Sequence, residues 1–166
     1  MLTENQLIID KIHEILQHVK DPEIPSVSVM ELGMIENIKV DNGNVIVEAL
    51  PTFVGCPALD IIKANIENAI KDHLEHINSV ICKFIYHPPW TSDRISTEGR
   101  EKLKQFGIAP PPEFFTETGL WSVHCPYCDS AYTTIENIFG PTACRSILYC
   151  KNCKNPFEAM KPISTL

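Results

Sequence analysis

The sequence predicts an α+β protein, a small two-layer domain followed by a β-hairpin ribbon. Three observations predict it. Apolar residues recur at helical spacing over residues 3–20 and 58–76. Between those runs, Asn42-Gly43 joins two alternating stretches, a strong short-range hairpin signal. Near the C-terminus, Cys125-Pro126-Tyr127-Cys128 and Cys150-Lys151-Asn152-Cys153 are separated by 21 residues, close to the spacing of a zinc ribbon's two knuckles.

Composition narrows the class. A chain of 166 residues, 44% hydrophobic and 21% charged, suits one globular domain or two small ones. The start, Met1-Leu2-Thr3-Glu4-Asn5, lacks the basic region and apolar core of a signal peptide, and no apolar run approaches bilayer length. No membrane association is therefore expected. Seven cysteines, four of them in Cys-x-x-Cys pairs, favour metal binding in a reducing cytoplasm over a disulfide framework. The net charge is −7. Residues 121–166 carry Arg145, Lys151, Lys154 and Lys161 against Asp129, Glu136 and Glu158, a net of +1, which leaves −8 on the rest. Without a basic stripe to neutralise phosphates, nucleic acid is not an expected partner.

Each element follows from local chemistry. Over residues 3–20, Thr3 and Gln6 match a capping box, and Ile8, Ile12, Ile15, Leu16 and Val19 share a face. His13 and His18 read as surface or rim residues of this helix. Asp21-Pro22-Glu23-Ile24-Pro25 stops it, because proline cannot continue the hydrogen bonding. On composition alone, Asp21 and Glu23 read as part of a solvated turn, though two acids in a stiffened loop could also face a cation. Residues 34–40 and 45–50 read as strands about Asn42-Gly43, where both central residues take positive φ. The next helix carries Leu59, Ile62, Ile66, Ile70 and Leu74 at spacings of three and four. His73 and His76 read as exposed residues at its C-terminal end. A third strand follows over residues 80–86, with Cys82 as a core residue.

Residues 87–120 change character. His87-Pro88-Pro89-Trp90 cannot be a central strand. A short helix over residues 97–106 is ended by Gly107, and Pro110-Pro111-Pro112 stiffens a spacer. Trp90 reads as a lid packed on the first domain. The expected division is a first domain over residues 1–88, a proline-rich connector over 89–120 and a ribbon over 121–166.

Within the first domain, Thr52-Phe53-Val54-Gly55-Cys56-Pro57 links strand to helix. Pro57 suits the first helical position, which places Cys56 at or near the N-cap, facing unpaired N–H groups and the positive end of the helix dipole. Both favour a thiolate, the form that attacks electrophiles and binds soft metals. A buried, inert cysteine is the alternative reading.

In the ribbon, Cys125, Cys128, Cys150 and Cys153 supply two knuckles and complete a tetrahedral thiolate site. Residues 132–139 and 143–149 read as strands joined at Gly140-Pro141, bringing the knuckles together. A segment of about 45 residues is too short for a convincing core of its own, so a structural metal is physically useful. Zinc is the first choice, while iron or an iron–sulfur cluster would use the same ligands. Cys144 reads either as core or as a spare ligand, and His124 as a neighbour of the site.

Together the motifs resemble a known family. Asp21-Pro22-Glu23-Ile24-Pro25, Glu31-Leu32-Gly33 and Thr52 through Gly55-Cys56-Pro57 resemble the iron–sulfur-assembly domain of SufT-like and cytosolic iron–sulfur targeting proteins. Pro89-Trp90-Thr91, residues 98–103 and Gly107-Ile108-Ala109-Pro110 narrow the likeness. So does a ribbon with Cys125, Cys128, Phe139-Gly140, Thr142, Cys144, Cys150, Cys153 and Pro156-Phe157. The whole, from about Asp10 to Ile163, is similar to the PaaD (also PaaJ) family of the phenylacetyl-CoA oxygenase, or ring 1,2-epoxidase, system. One departure stands out: the family commonly ends Phe-Lys-Cys-Ile, whereas this chain has Met160-Lys161-Pro162-Ile163. The four ribbon cysteines close a tetrahedron without that residue.

The resemblance implies an iron–sulfur-assembly-type domain followed by a zinc ribbon, in an accessory subunit that is not itself an enzyme. Its partners would be other subunits of the system, a di-iron oxygenase or a flavin and iron–sulfur reductase. It implies that Cys56 transiently holds iron or an iron–sulfur cluster, with Asp21 and Glu23 in the adjoining motif loop and Thr52 shaping the site. A lone thiolate cannot supply all the ligands of a cluster, so transfer calls on a partner chain, a second protomer in a homodimer, or a small thiol. Two alternatives remain: a zinc-ribbon protein-binding adaptor without metal transfer, and an enzyme with Cys56 as nucleophile and His87 as base.

Overall fold

The structure, a computed structural model, describes residues 3–112 and 121–165. Residues 113–120, the end of the stretch read as a connector, lie outside the described residues, as do both chain termini.

The first helix, α1 (Glu4–Leu16), opens as its capping residue predicts, with Thr3 Oγ1 accepting the Gln6 N–H at 3.3 Å. Ile12 and Leu16 are its buried residues, and the helix stops four residues short of the expected end. A hairpin follows, β1 (Ile35–Asp41) and β2 (Asn44–Ala49), antiparallel across Asn42 (φ 46) and Gly43 (φ 76). Two consecutive positive φ values are what a type I′ turn requires. On β2, Val45, Val47 and Ala49 are buried and alternate with partly exposed neighbours, the period-two pattern of a one-sided sheet. Helix α2 (Leu59–His73) presents Ile62, Ile66 and Ile70 to the core and returns the chain to β3 (Ser79–Phe84), which pairs parallel to β2. The first sheet has the order β1-β2-β3. Cys82 is fully buried in β3.

The loop between α1 and β1 is folded rather than solvated. Asp21 N–H bonds to Val27 O at 3.0 Å and Val29 N–H to Val19 O at 2.9 Å. Ser28 and Glu31 satisfy each other's backbone N–H groups, Ser28 N–H to Glu31 Oε2 at 2.9 Å and Glu31 N–H to Ser28 Oγ at 3.1 Å. Gly33 ends the loop at φ 66, where a Cβ would come within 2.2 Å of Arg94 O. The backbone of residues 90–94 is therefore packed directly onto this loop. Trp90 is fully buried and donates its indole N–H to Leu32 O at 2.7 Å, so the expected lid is in place.

Helix α3 (Thr97–Gln105) is capped by Ser96, whose Oγ accepts the Gly99 N–H at 3.0 Å, and gives way to Gly107 at φ 91. Strand β4 (Ile108–Ala109) then joins the second sheet, of order β4-β7-β6-β5, with β5 (Thr133–Asn137), β6 (Arg145–Cys150) and β7 (Pro156–Met160). Strands β5 and β6 are the hairpin read from sequence. Strands β4 and β7 were not expected, since Pro156 and the two-residue length of β4 mask them.

The second sheet has a small core of Ala109, Trp121, Val123, Leu148, Phe157 and Ala159 around Cys125 and Cys150. Strands β7 and β4 also feed the larger core, through Met160 and Ile108, which belong to the same buried cluster as Ile12, Leu32 and Trp90. Beyond β7 the chain runs back over the first unit. Ser92 N–H bonds to Pro162 O at 2.9 Å, Ser164 N–H to Trp90 O at 3.2 Å and Val54 N–H to Ser164 O at 3.0 Å. The last of these bonds fixes the Cys56 loop against the C-terminal segment.

Candidate functional site

Two cysteine-bearing regions stand out. In the ribbon each knuckle is a tight turn of the same form. Asp129 N–H bonds back to Cys125 O at 2.9 Å and Lys154 N–H to Cys150 O at 2.9 Å, with Asp129 and Lys154 at φ 60 and 62. The turns aim four sulfurs inward, all within 4.8 Å of one another. Cys125 Sγ lies 3.7 Å from Cys153 Sγ, and Cys128 Sγ 3.6 Å from Cys150 Sγ. Tetrahedral zinc with Zn–S bonds of about 2.3 Å needs S···S edges of roughly 3.8 Å, so the set fits zinc closely. Burial pushes Cys125 up to about 12, whereas the Asn152 side-chain amide and the Ser130 backbone bring Cys128 down to about 6. His124 is hydrogen-bonded through Nδ1 to Asp129 O at 3.0 Å and stays outside the set.

The second group lies where the first unit meets the ribbon. Asp21 is buried, and its Oδ1 accepts the Glu23 N–H at 2.7 Å and the Ile24 N–H at 3.1 Å. That corrects the solvated-turn reading: Pro22 and Pro25 bend the loop so that Asp21 caps it from inside. Burial raises the Asp21 carboxyl above its ordinary value; burial followed by the charge of Asp21 does the same to Glu23. Thr52 is buried at the start of the loop that carries Cys56, and Cys56 itself is half-buried.

Cys56 does not occupy the position its sequence suggests. Helix α2 starts at Leu59 with Ala58 as N-cap, so Pro57 and Cys56 precede it in a turn closed by Cys56 N–H to Phe53 O at 3.2 Å. The Ala58 N–H still reaches the sulfur and favours thiolate. Burial outweighs it, and Glu23 and Asp21 add to the rise, so the thiol is held above its ordinary value. The expected ready-made thiolate is thus a thiol in an acidic, desolvated niche. His87, the candidate base, is exposed and makes no hydrogen bond to Cys56 among the described residues.

Cys144 belongs to the same neighbourhood. It is buried, its Sγ lies 3.4 Å from Thr142 Oγ1, and burial drives it up to about 11 with the charges of Asp21, Cys56 and Glu23 adding to the effect. Arg145 also faces the acids but is engaged by Glu158 at 2.5 Å and by Thr142 Oγ1 at 2.7 Å. Lys161 is buried, donates its N–H to Cys144 O at 2.8 Å, and places Nζ 4.8 Å from the Phe53 ring and 5.6 Å from that of Phe139. Local spacing carried no sign that Cys144, Lys161 and Phe53 would meet, because the contact spans the two sheets. His73 and His76 are exposed at the far end of α2, where His73 Nδ1 contacts Ala69 O at 2.8 Å.

Comparison with known proteins agrees with both halves of this description. Residues 9–81 match the family described as "Iron-sulfur cluster assembly protein", and residues 109–161 that described as "PaaD zinc beta ribbon domain". A protein of Escherichia coli (strain K12), named as a putative subunit of 1,2-phenylacetyl-CoA epoxidase, is 33% identical over 157 residues, 92% of this chain and 94% of that one. Among solved structures, a DUF59 domain from Bacillus anthracis superposes with a TM-score of 0.57 at 24% identity, over 60% of this chain and 93% of that one. A conserved hypothetical protein from Thermotoga maritima gives a TM-score of 0.50 at 32% identity, covering 64% and 96%. The first of these likenesses shows the fold of the N-terminal unit. No helix among the described residues is long and apolar enough to cross a membrane.

Proposed function

Since the chain belongs to the PaaD-like family of phenylacetyl-CoA epoxidase subunits, we propose that it serves such an epoxidase in the cytoplasm as an accessory subunit, which holds iron at Cys56 and passes it to a partner subunit. The observation that carries this reading is the niche itself. A half-buried thiol lies near enough to Asp21 and Glu23 to feel their charges, and all three groups are held above their ordinary pKa values, chiefly by burial. A divalent cation bound there would offset that penalty for each group at once, in competition with the protons the groups otherwise hold. A thiolate with carboxylates is a mixed soft and hard donor set of the kind ferrous iron accepts. Iron, or an iron–sulfur unit, is here cargo and not a resident cofactor.

The chain's own residues account for loading and release. Asp21, fixed by two backbone N–H groups, presents its remaining oxygen lone pairs from a rigid loop. Binding expels the Cys56 proton to solvent, and no electron moves. A site with few protein ligands holds iron loosely, so a partner offering more ligands can take it by exchange. Separately, Cys125, Cys128, Cys150 and Cys153 would hold a structural zinc, which supplies the folding energy that the small ribbon core lacks. The chain would then divide at the proline-rich stretch into an iron-handling unit and a zinc-stapled unit.

The adaptor reading keeps one specific observation in its favour. Tyr127, Tyr132 and Phe139 are 60%, 64% and 72% exposed on the ribbon, and aromatic residues are enriched at protein interfaces. One experiment separates the two. With the partner oxygenase produced alongside the Cys56→Ala variant, metal transfer predicts an iron-poor, weakly active oxygenase despite normal complex formation. Full iron content and activity would leave the adaptor alone.

A further inference from the structure

We propose that Asn152 is a positioning residue of the ribbon's metal site: reaching from the second knuckle, its side-chain amide donates to the exposed ligand Cys128 of the first and keeps that sulfur on the metal. The inference rests on the reading of the four ribbon cysteines as a zinc site and adds a group that the ligand set does not contain.

The four ligands are not equally sheltered. Cys125 and Cys150 are buried, Cys153 is half-buried and Cys128 is exposed. Cys128 is therefore the sulfur that a competing thiol, chelator or electrophile meets first. Asn152 Nδ2 lies 3.6 Å from Cys128 Sγ. Sulfur is larger than oxygen, and a donor at that distance is in hydrogen-bond contact with it. Cys128 Sγ also lies 3.6 Å from Cys150 Sγ, so the amide meets it from the knuckle that carries two of its fellow ligands. A metal-bound thiolate accepts and cannot donate, which turns the amide NH2 of Asn152, and not its oxygen, towards the sulfur.

The backbone holds the amide in place. Immediately before it, Lys151 N–H bonds to Tyr132 O at 2.9 Å, and Lys151 Nζ lies 5.1 Å from the Tyr132 ring. On the other side the knuckle is closed by Cys150 N–H to Asn155 O and by Lys154 N–H to Cys150 O, both at 2.9 Å. Asn152 thus projects from a turn tied at both ends, and its short side chain leaves little freedom to lose. The matching position of the first knuckle is Tyr127, whose hydroxyl lies 3.9 Å from where a Cβ on Gly107 would stand. The amide is therefore a feature of one knuckle and not of the ribbon fold. Four thiolates around a divalent cation carry excess negative charge, and an amide donor draws on it without adding a charge of its own. Electron density engaged by the N–H is withheld from electrophiles and from protonation, the step by which a thiolate leaves its metal.

The test compares full-length wild type with Asn152→Ala and Asn152→Asp, by chelator competition for zinc and by the sulfur-to-metal charge-transfer band of the cobalt(II)-substituted ribbon. Wild type is expected to hold one zinc. Asn152→Ala should bind it about tenfold more weakly, and Asn152→Asp more weakly still, because a carboxylate of the same shape sets a negative acceptor against the thiolate. A role in shape alone predicts the opposite order. In both variants the cobalt band should move to lower energy, since a sulfur without its donor gives up electron density more readily. Asn152→Asp holding zinc at least as tightly as Asn152→Ala, or a band unmoved in both, overturns this inference and leaves the zinc site standing. Wild type that takes up no zinc overturns both. Should the variants fail to fold, cadmium-113-substituted wild type decides: a scalar coupling between cadmium and the Asn152 side-chain amide protons supports the bond, and its absence overturns it.

Discussion

Lys161 Nζ lies 4.8 Å from the centre of the Phe53 ring, which joins the end of the ribbon to the loop that carries Cys56. The lysine is 2% exposed, and burial holds its ammonium below the ordinary pKa. A cation placed there costs solvation, so its contacts with two aromatic faces have a structural consequence: they lock the two units in register. Phe53→Leu should leave zinc content unchanged, lower stability by about 1–2 kcal/mol in denaturant titration, and raise hydrogen exchange in residues 161–165. Unchanged exchange there would show that the ring does not hold the junction.

Removing the ribbon's metal should have a local effect first. Chelation of zinc leaves two sulfur pairs crowded at 3.7 and 3.6 Å without a bridging cation, and Cys125→Ser removes one ligand of the set. Structural zinc sites contribute on the order of 10 kcal/mol, more than a core of this size can replace. Hydrogen exchange should rise throughout β5, β6 and β7 while β1, β2 and β3 stay protected. Protection of both sheets in metal-free protein would contradict the structural role of the metal.

The Cys56 thiol is predicted to be slow at neutral pH. Its pKa lies above 9.0, so the rate of alkylation by iodoacetamide should climb about tenfold per pH unit through neutrality and level off only above pH 9. Burial is the largest cause, and Glu23 contributes, so Glu23→Gln should speed alkylation at pH 8 by ~2-fold or more. A rate already at its plateau at pH 7 would restore the thiolate that helix-end reasoning suggests.

Asp21 should make the iron-free protein less stable as pH rises. Its folded pKa is raised above 3.8, so between the unfolded and folded values the folded state binds more protons, and stability falls with pH across that window. The penalty is complete once pH exceeds the folded value. Asp21→Asn keeps an oxygen for the Glu23 and Ile24 N–H groups and carries no charge. It should therefore stabilise iron-free protein at pH 7 by about 1 kcal/mol and flatten the acid-to-neutral stability profile. A less stable variant would show that the charge is compensated in the folded protein.

Trp90 provides a purely architectural check. Trp90→Phe removes the indole donor to Leu32 O and leaves that buried carbonyl unpaired, at a cost of about 1–3 kcal/mol. Thermal melting with full zinc retention would report it.

Much of this architecture was legible in the chain because its signals are local. Asn42-Gly43 specified the hairpin through φ, Thr3 marked a helix start and Gly107 a helix end, and the paired cysteines announced the knuckles. The features that escaped depend on contacts distant in sequence. Asp21 looked solvated because its burial depends on segments that pack over its loop. Cys56 looked ionised because Pro57 suggested a helix start two residues early, whereas α2 begins at Leu59. Cys144 was ambiguous because its meeting with the Cys56 loop runs through Lys161 and the C-terminal segment, which no periodicity encodes.

The most direct test of the central claim follows iron itself. Zinc-loaded protein is charged anaerobically with iron-57, freed of excess, and mixed with metal-free di-iron oxygenase of the phenylacetyl-CoA system. Iron-57 content and Mössbauer spectra are then recorded on the separated partners. The account predicts that wild type yields its iron to the oxygenase, while Cys56→Ser, with zinc still in the ribbon, carries and transfers almost none. Equal transfer by the two proteins would contradict it.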